Sequence, residues 1–347
     1  MKKREKPKKV HFVELLMDEE IRKIIVEDLF GKKWISYSKE NEKPYLLQDV
    51  DFWYRMGYDY IRFVGGGKVT LSWRRNVRET KDTAVVSRGE RIWVEEGAGI
   101  ISSWENFEKY PWPDVKKIDY SPYKFISENL PDGMKMMVCP SDGVFEVVSE
   151  SLLGLEGLSY LLVDEPGLVK EVFNKVGETM LSFYENVVEL DNVGGFFQGD
   201  DMGYKTSTIV KPDILRELVL PWHKKFAEAA HKHNKMYWLH CCGNVSTLMD
   251  DFINDVKIDA FHSFQDVIIP VGEFMKKYPQ IAALGGIDVN SLGIMKEKEL
   301  RKYVQKTLDQ CMPGRYALGS GNSIANYIPV ENYLAMLDEG LKWENGG

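Results

Sequence analysis

The sequence predicts a (β/α)8 TIM barrel carrying a β-rich insertion near residues 68–113. Three observations lead there. Short apolar runs begin near residues 10, 60, 134, 194, 236, 258, 281 and 316, and helical periodicity follows each of them. Alternating strand and helix implies a parallel sheet, and 347 residues are enough to close eight such units. Polar and ionisable residues gather where the apolar runs end, which is the working face of a barrel of this kind. A doubly wound open sheet is the structural alternative, but no Gly-x-Gly-x-x-Gly follows the first strand.

The elements follow in order. Residues 10–15 form a short strand, and 18–30 an amphipathic helix with Ile21, Ile24, Ile25 and Leu29 on one side and Gly31 closing it. A helix over 50–56 ends at Gly57, and the strand over 58–64 stops at Gly65-Gly66-Gly67. In the insertion, 69–73, 83–87 and 91–95 read as β-rich pieces around an Arg88-Gly89-Glu90 turn. A helix over 123–129 and a strand over 134–138 come next, the strand breaking at Pro140. Residues 143–153 and 165–190 are helical by period, with Val169, Val172, Val176, Met180 and Phe183 on one face. The strand over 194–198 runs into Gly199-Asp200-Asp201, and one long helix is expected over 212–233, opened by Pro212. Strands at 236–240, 258–262, 281–284 and 316–318 then alternate with helices at 245–254, 271–277, 296–310 and 330–341.

Composition sets the class. The chain reads as a single domain, 1–347, with a basic arm over 1–9. Its 44% apolar and 28% charged residues suit a large-cored globular enzyme. The net charge of -8 argues against a nucleic-acid partner. No apolar run reaches the length of a membrane span, and no signal-peptide pattern opens the chain. Cys139, Cys241, Cys242 and Cys311 are too unevenly placed for a disulfide framework, so the expected compartment is the cytoplasm.

The candidate site is read from the strand ends. Four apolar or aromatic residues, Met236 to Leu239, run into His240-Cys241-Cys242-Gly243. Side chains alternate along a strand, so His240 and Cys242 share a side, and imidazole and thiolate are ligands that zinc prefers. Cys241 faces the other way and is expected to pack among helices. His262 ends the next strand and is placed to neighbour His240. Asp200-Asp201, Asp288, Ser320 and Asn322 complete the list, as does Ser141-Asp142, for which helix capping is the plainer role. His223, His231 and His233 lie on one helix and are expected to be solvated or packed. The Gly65 to Gly67 run gives room for close approach or a flexible turn.

Several of these stretches resemble the uroporphyrinogen decarboxylase (URO-D) superfamily. They are His240-Cys241-Cys242-Gly243 after Leu220-Pro221-Trp222-His223-Lys224-Lys225, Gly285-Gly286-Ile287-Asp288, and Leu318-Gly319-Ser320-Gly321-Asn322 with Pro329-Val330-Glu331-Asn332. The resemblance implies a (β/α)8 barrel with a deep pocket at the strand ends. It spans two branches, tetrapyrrole decarboxylases that need no cofactor and methyltransferases that work with corrinoid proteins. The decarboxylase branch implies an early Arg-rich motif and a tail His. Here Arg4 and Arg22 lie outside such a motif and Ser320 takes the tail position, although Arg62, Arg74 and Arg75 offer another grip on carboxylates. The methyltransferase branch implies zinc on a His-x-Cys pair and a later Cys. His240 and Cys242 match the pair, the third position is Ser320, and Asp200, Asp201 or His262 could complete the set.

The expected function is therefore methyl transfer involving a corrinoid protein or a thiol or pterin acceptor. Asp201, His262 and His240 are the expected catalytic residues, and Asp200, Asp288, Ser320 and Asn322 the expected substrate contacts. Decarboxylation of a tetrapyrrole is the alternative, and a non-catalytic cobamide or small-molecule binding protein a third.

Overall fold

The computed structural model describes residues 7–65, 70–84, 86–94 and 99–343. Most of the basic arm, together with Gly66 and Gly67 of the glycine run and Lys68 and Val69 of the insertion, lies outside the described residues.

The described residues form the strands β1 (His11–Phe12), β2 (Tyr60–Phe63), β3 (Val77–Lys81), β4 (Glu90–Val94), β5 (Lys135–Val138), β6 (Val193–Gly199), β7 (Met236–His240), β8 (Ala260–His262), β9 (Ala282–Leu284) and β10 (Tyr316–Leu318). Eight of them form one parallel sheet in the order β1-β10-β9-β8-β7-β6-β5-β2, so chain neighbours are sheet neighbours once the insertion is set aside. Each apolar run forecast as a barrel strand supplies one member. The fold is α/β, with a curled eight-stranded sheet wrapped by helices. The outer strands β1 and β2 are joined by side chains rather than by a ladder. The Tyr60 hydroxyl donates to the Glu14 carbonyl (2.5 Å) and accepts from the Glu14 N–H (3.0 Å), while Arg62 Nη1 donates to the Leu15 carbonyl (3.4 Å).

Two forecast elements differ for clear reasons. The long helix expected over 212–233 is two, Pro212–Leu218 and Leu220–Lys232, meeting at Val219. Pro221 has no N–H to give a continuing helix, and its ring crowds the carbonyl one turn back. In the insertion, β3 and β4 pair antiparallel, while Thr83, Ala84, Val86 and Ser87 lie outside any strand; Val85, forecast within the same β-rich piece, lies outside the described residues. The Asp82 carboxylate collects the backbone N–H groups of Ala84 (3.2 Å) and Arg88 (2.9 Å), which folds that stretch around one side chain. Among the described residues, three α-helices lie where none had been foreseen: Trp104–Lys109, capped by Ser103, Leu155–Asp164, and Val289–Ile294.

Register sets the site. Gly199 pairs with His240, and His240 with His262, so β6, β7 and β8 end level. The backbone ladder continues one step further, Asp200 N–H to the His240 carbonyl (2.9 Å) and Cys241 N–H to the His262 carbonyl (2.7 Å). Below that level the curled sheet encloses aromatic rings. Trp238 sits edge-on to Tyr60 at 5.4 Å and to Phe197 at 5.5 Å. Among the described residues, no helix is long and apolar enough to cross a membrane.

Candidate metal centre

Three groups converge where β6 and β7 end. The ligand atoms of Asp201, His240 and Cys242 all lie within 4.8 Å of one another. His240 Nε2 is 3.3 Å from Asp201 Oδ1 and 3.3 Å from Cys242 Sγ. The Cys242 N–H donates to the same Asp201 oxygen (2.8 Å), and Asn322 Nδ2 donates to Cys242 Sγ (3.1 Å). The Asp201 side chain is 32% exposed against 5% for His240, so solvent reaches the trio from the Asp201 side.

The imidazole of His240 is held from behind. His262 Nε2 lies 3.1 Å from the Ser320 carbonyl, and His262 Nδ1 lies 2.6 Å from His240 Nδ1. A carbonyl only accepts, so His262 donates through Nε2. Burial, and then the neighbouring His240, push the His262 pKa well down, so His262 is neutral and its Nδ1 accepts. The proton between the two rings therefore belongs to His240 Nδ1. That leaves His240 Nε2 for Asp201 and Cys242, sharing either a proton or a cation with them. Gly285 makes the relay possible, because a Cβ there would meet the Ser320 carbonyl at 2.1 Å and the His262 ring at 3.0 Å.

Electrostatics on this face are acidic. Burial raises Asp201, but the hydrogen bond and charge of His240 and the Cys242 N–H outweigh it and hold the carboxyl down. Burial, then the Asp201 charge, push the Cys242 thiol up. Burial also drives Glu146 well above the carboxylate range, helped by Asp201, Asp142, Asp200 and Glu150.

The donor set fits a zinc ion. Imidazole nitrogen, thiolate sulfur and carboxylate oxygen are its usual protein ligands, and three of them leave a position open for substrate. A second nitrogen fixed by a hydrogen bond is the usual support for a metal-bound His.

The other forecast site residues lie as follows. Asp200 is fully buried, and its oxygens accept from Phe145 N–H (3.0 Å), Glu146 N–H (3.0 Å) and His223 Nε2 (2.8 Å). Asp288 caps the helix Val289–Ile294 through the N–H groups of Asn290 and Ser291. Ser320 turns its hydroxyl to the Glu14 carboxyl and offers the centre only its carbonyl. Asn322 reaches Cys242 directly. Arg62 donates to the Phe197 carbonyl (3.0 Å), the Leu15 carbonyl and Cys139 Sγ (3.0 Å), and Arg75 pairs with Asp142 (3.1 Å).

Two residues that matter here, Glu14 and Glu146, were not singled out from the sequence, and His223 was expected only to be solvated or packed. Burial raises Glu14, which accepts from Ser320, to about 8. Glu146 sits on the helix that Asp200 caps. His223 is buried between Asp200 and the Tyr237 hydroxyl (2.6 Å). Each carried a faint signal, namely a carboxylate inside an apolar run for Glu14 and Glu146, and for His223 a place on the apolar helix face with Phe226 and Ala230.

The uroporphyrinogen decarboxylase (URO-D) family model matches residues 143–343. Among solved structures, a methyltransferase from Methanosarcina mazei superposes with a TM-score of 0.67 at 14% identity, covering 96% of this chain and 94% of that one. A B12-independent methionine synthase from Shewanella sp. W3-18-1, in complex with selenomethionine, gives a TM-score of 0.55 at 11% identity over 97% and 94%. At such identities the likeness is one of fold. No curated protein matches the sequence significantly.

Proposed function

The chain belongs to the uroporphyrinogen decarboxylase family, and from that premise we propose that it is a methyltransferase that passes a methyl group from a corrinoid partner protein to a small thiol. The convergence of Asp201, His240 and Cys242 carries this reading. Two of the structural relatives are named as methyl-transfer enzymes, a methyltransferase and a methionine synthase.

Zinc held by the three residues would act as a Lewis acid, lowering the pKa of the acceptor thiol so that it reacts as thiolate. The chain's own groups prepare that chemistry. His262 and the Ser320 carbonyl fix the His240 ring. Asn322 steadies the Cys242 sulfur and the Cys242 N–H steadies Asp201. Asp200 and His223 anchor the helix bearing Glu146, a protonated acid facing the site. Sulfur of the acceptor forms the new S–C bond as the donor's bond to methyl breaks, the donor keeping that bond's electron pair, and the thiol proton leaves to solvent past Asp201. Substrate contact falls to Asn322 and Asp201, while Asp200, Asp288 and Ser320 support from behind.

Tetrapyrrole decarboxylation asks for cationic groups to grip many carboxylates. Arg62 is engaged by two carbonyls and a sulfur, Arg75 is paired with Asp142, and the face is rich in acids. That electrostatic mismatch weighs against it.

Protein purified without chelator should contain near-stoichiometric zinc and demethylate methylcobalamin in the presence of a small thiol. Full activity without metal, unchanged in Cys242→Ala, would remove the zinc reading. Release of CO2 from uroporphyrinogen would replace methyl transfer with decarboxylation.

A further inference from the structure

One buried acid has no part in the chemistry described so far. Glu14 follows β1 in the first apolar run and is 2% exposed. The rings of Tyr58, Tyr60, Tyr316 and Tyr333 lie within electrostatic range of it. Burial raises it to about 8, and what opposes that rise is Ser320, through its hydroxyl and its backbone N–H. A carboxyl in such a place costs free energy that an apolar side chain would not.

Both of its oxygens serve one residue. Oε1 accepts the Ser320 N–H (2.9 Å), and Oε2 meets the Ser320 hydroxyl. The neighbouring rungs show why a side chain is used there. Val13 N–H donates to the Leu318 carbonyl (2.9 Å), tying β1 to β10. The Gly319 carbonyl accepts from Ile287 N–H (3.0 Å), and Gly321 N–H donates to the Ile287 carbonyl (2.6 Å). Between those two glycines, the Ser320 N–H finds its acceptor in Glu14 instead of in the ladder.

From Ser320 a series of hydrogen bonds runs inward. The Ser320 carbonyl accepts from His262 Nε2 (3.1 Å), and His262 Nδ1 accepts from His240 Nδ1 (2.6 Å). His240 Nε2 is left facing Asp201 Oδ1 and Cys242 Sγ, each at 3.3 Å. The two imidazole donors point the same way, so each bond polarises the next and adds electron density at His240 Nε2. We propose that Glu14 is a positioning residue of the metal centre: by holding Ser320 at its N–H and hydroxyl, it sets the carbonyl that fixes His262 and, through His262, the His240 ring. The inference rests on the reading of Asp201, His240 and Cys242 as metal ligands, and extends their support to the first strand of the sheet.

NMR of the metal-free full chain, isotope-labelled at histidine, reads this series directly. The His240 N–H held by His262 should give a downfield imidazole resonance that exchanges slowly with water and is assigned by its loss in His240→Ala. Glu14→Leu fills similar space without gripping Ser320. It should broaden or abolish the resonance and weaken zinc binding about tenfold in chelator competition, the low end of what outer partners contribute. Glu14→Gln accepts from the N–H and donates to the hydroxyl, and should restore both. Ser320→Ala keeps the carbonyl and drops the hydroxyl, and should shift the resonance and weaken zinc binding severalfold. Wild-type values in Glu14→Leu, or a loss that Glu14→Gln does not restore, would overturn the proposal; where Glu14→Leu does not fold, wild-type values in Ser320→Ala would do so. The resonance requires neither metal nor substrate, so a protein that binds no zinc would sink the methyl-transfer reading while the response to Glu14→Leu still decides this one.

Discussion

The two ends of the curled sheet are built on opposite terms. Where β6, β7 and β8 stop, nearly every polar atom is engaged. Asp200 receives three donors, His262 bridges a ring and a carbonyl, and Asn322 holds a sulfur. Where the strands begin, a chamber remains and a buried indole N–H is unpaired. A saturated network fixes atoms to tenths of an ångström and is expensive to alter, because deleting one member strands its partner. A chamber whose wall leaves the Trp238 indole N–H and the Tyr316 hydroxyl unpaired tolerates change. Rigid placement suits chemistry, and slack suits binding.

Substitutions test that contrast. The largest effect is expected at Asp200, since Asp200→Ala leaves His223 and two backbone N–H groups without an acceptor. Chemical denaturation should show a loss of about 3–5 kcal/mol. Cys242→Ala and His240→Ala should leave the fold intact, empty the centre of metal, and reduce methyl transfer beyond the ~10–100-fold that outer partners cost. His262→Gln keeps an acceptor near His240 but loses the ring, and should fall within that ~10–100-fold range of metal affinity, read by chelator competition.

Glu14 gives a test by pH. Burial raises it to about 8 from an ordinary 4.5, so the folded state holds a proton that the unfolded state has lost. Its contribution to stability is present in full below pH 4.5 and is lost as pH rises through 8, with a slope of up to about 1.4 kcal/mol per pH unit between the two values. Glu14→Gln should flatten denaturation midpoints across that window; an unchanged slope would mean that Glu14 titrates normally. The smallest effect is expected at the slack end. Trp238→Phe removes no hydrogen bond, so it should move stability by less than about 1 kcal/mol. A larger loss would show that the indole N–H is satisfied and that the contrast between the ends is overdrawn.

Much of the scaffold was legible because period and punctuation are local. The apolar runs marked the sheet, and His240-x-Cys242 with His262 marked residues that the structure brings into contact. What stayed hidden depends on through-space partners. Asp200 and Asp201 are adjacent and chemically identical, yet one is sealed behind β7 capping a helix while the other opens to solvent beside Cys242. Alternation gives them opposite directions, but only the positions of Gly143, Phe145 and His223 decide which direction is the buried one. Asp288 looked like a pocket residue and caps a helix, for the same reason. Glu14 lies 306 positions from the Ser320 hydroxyl that it meets, beyond the reach of any local pattern.

Gly243, with φ of 79°, lies so close to Gly203 that a Cβ on it would sit 2.3 Å from the Gly203 carbonyl carbon. The segments bearing Asp201 and Cys242 are thus welded main chain to main chain. The aperture between a carboxylate and a sulfur is gauged by peptide planes, and neighbouring residues can drift in evolution or be redesigned at the bench without resizing it.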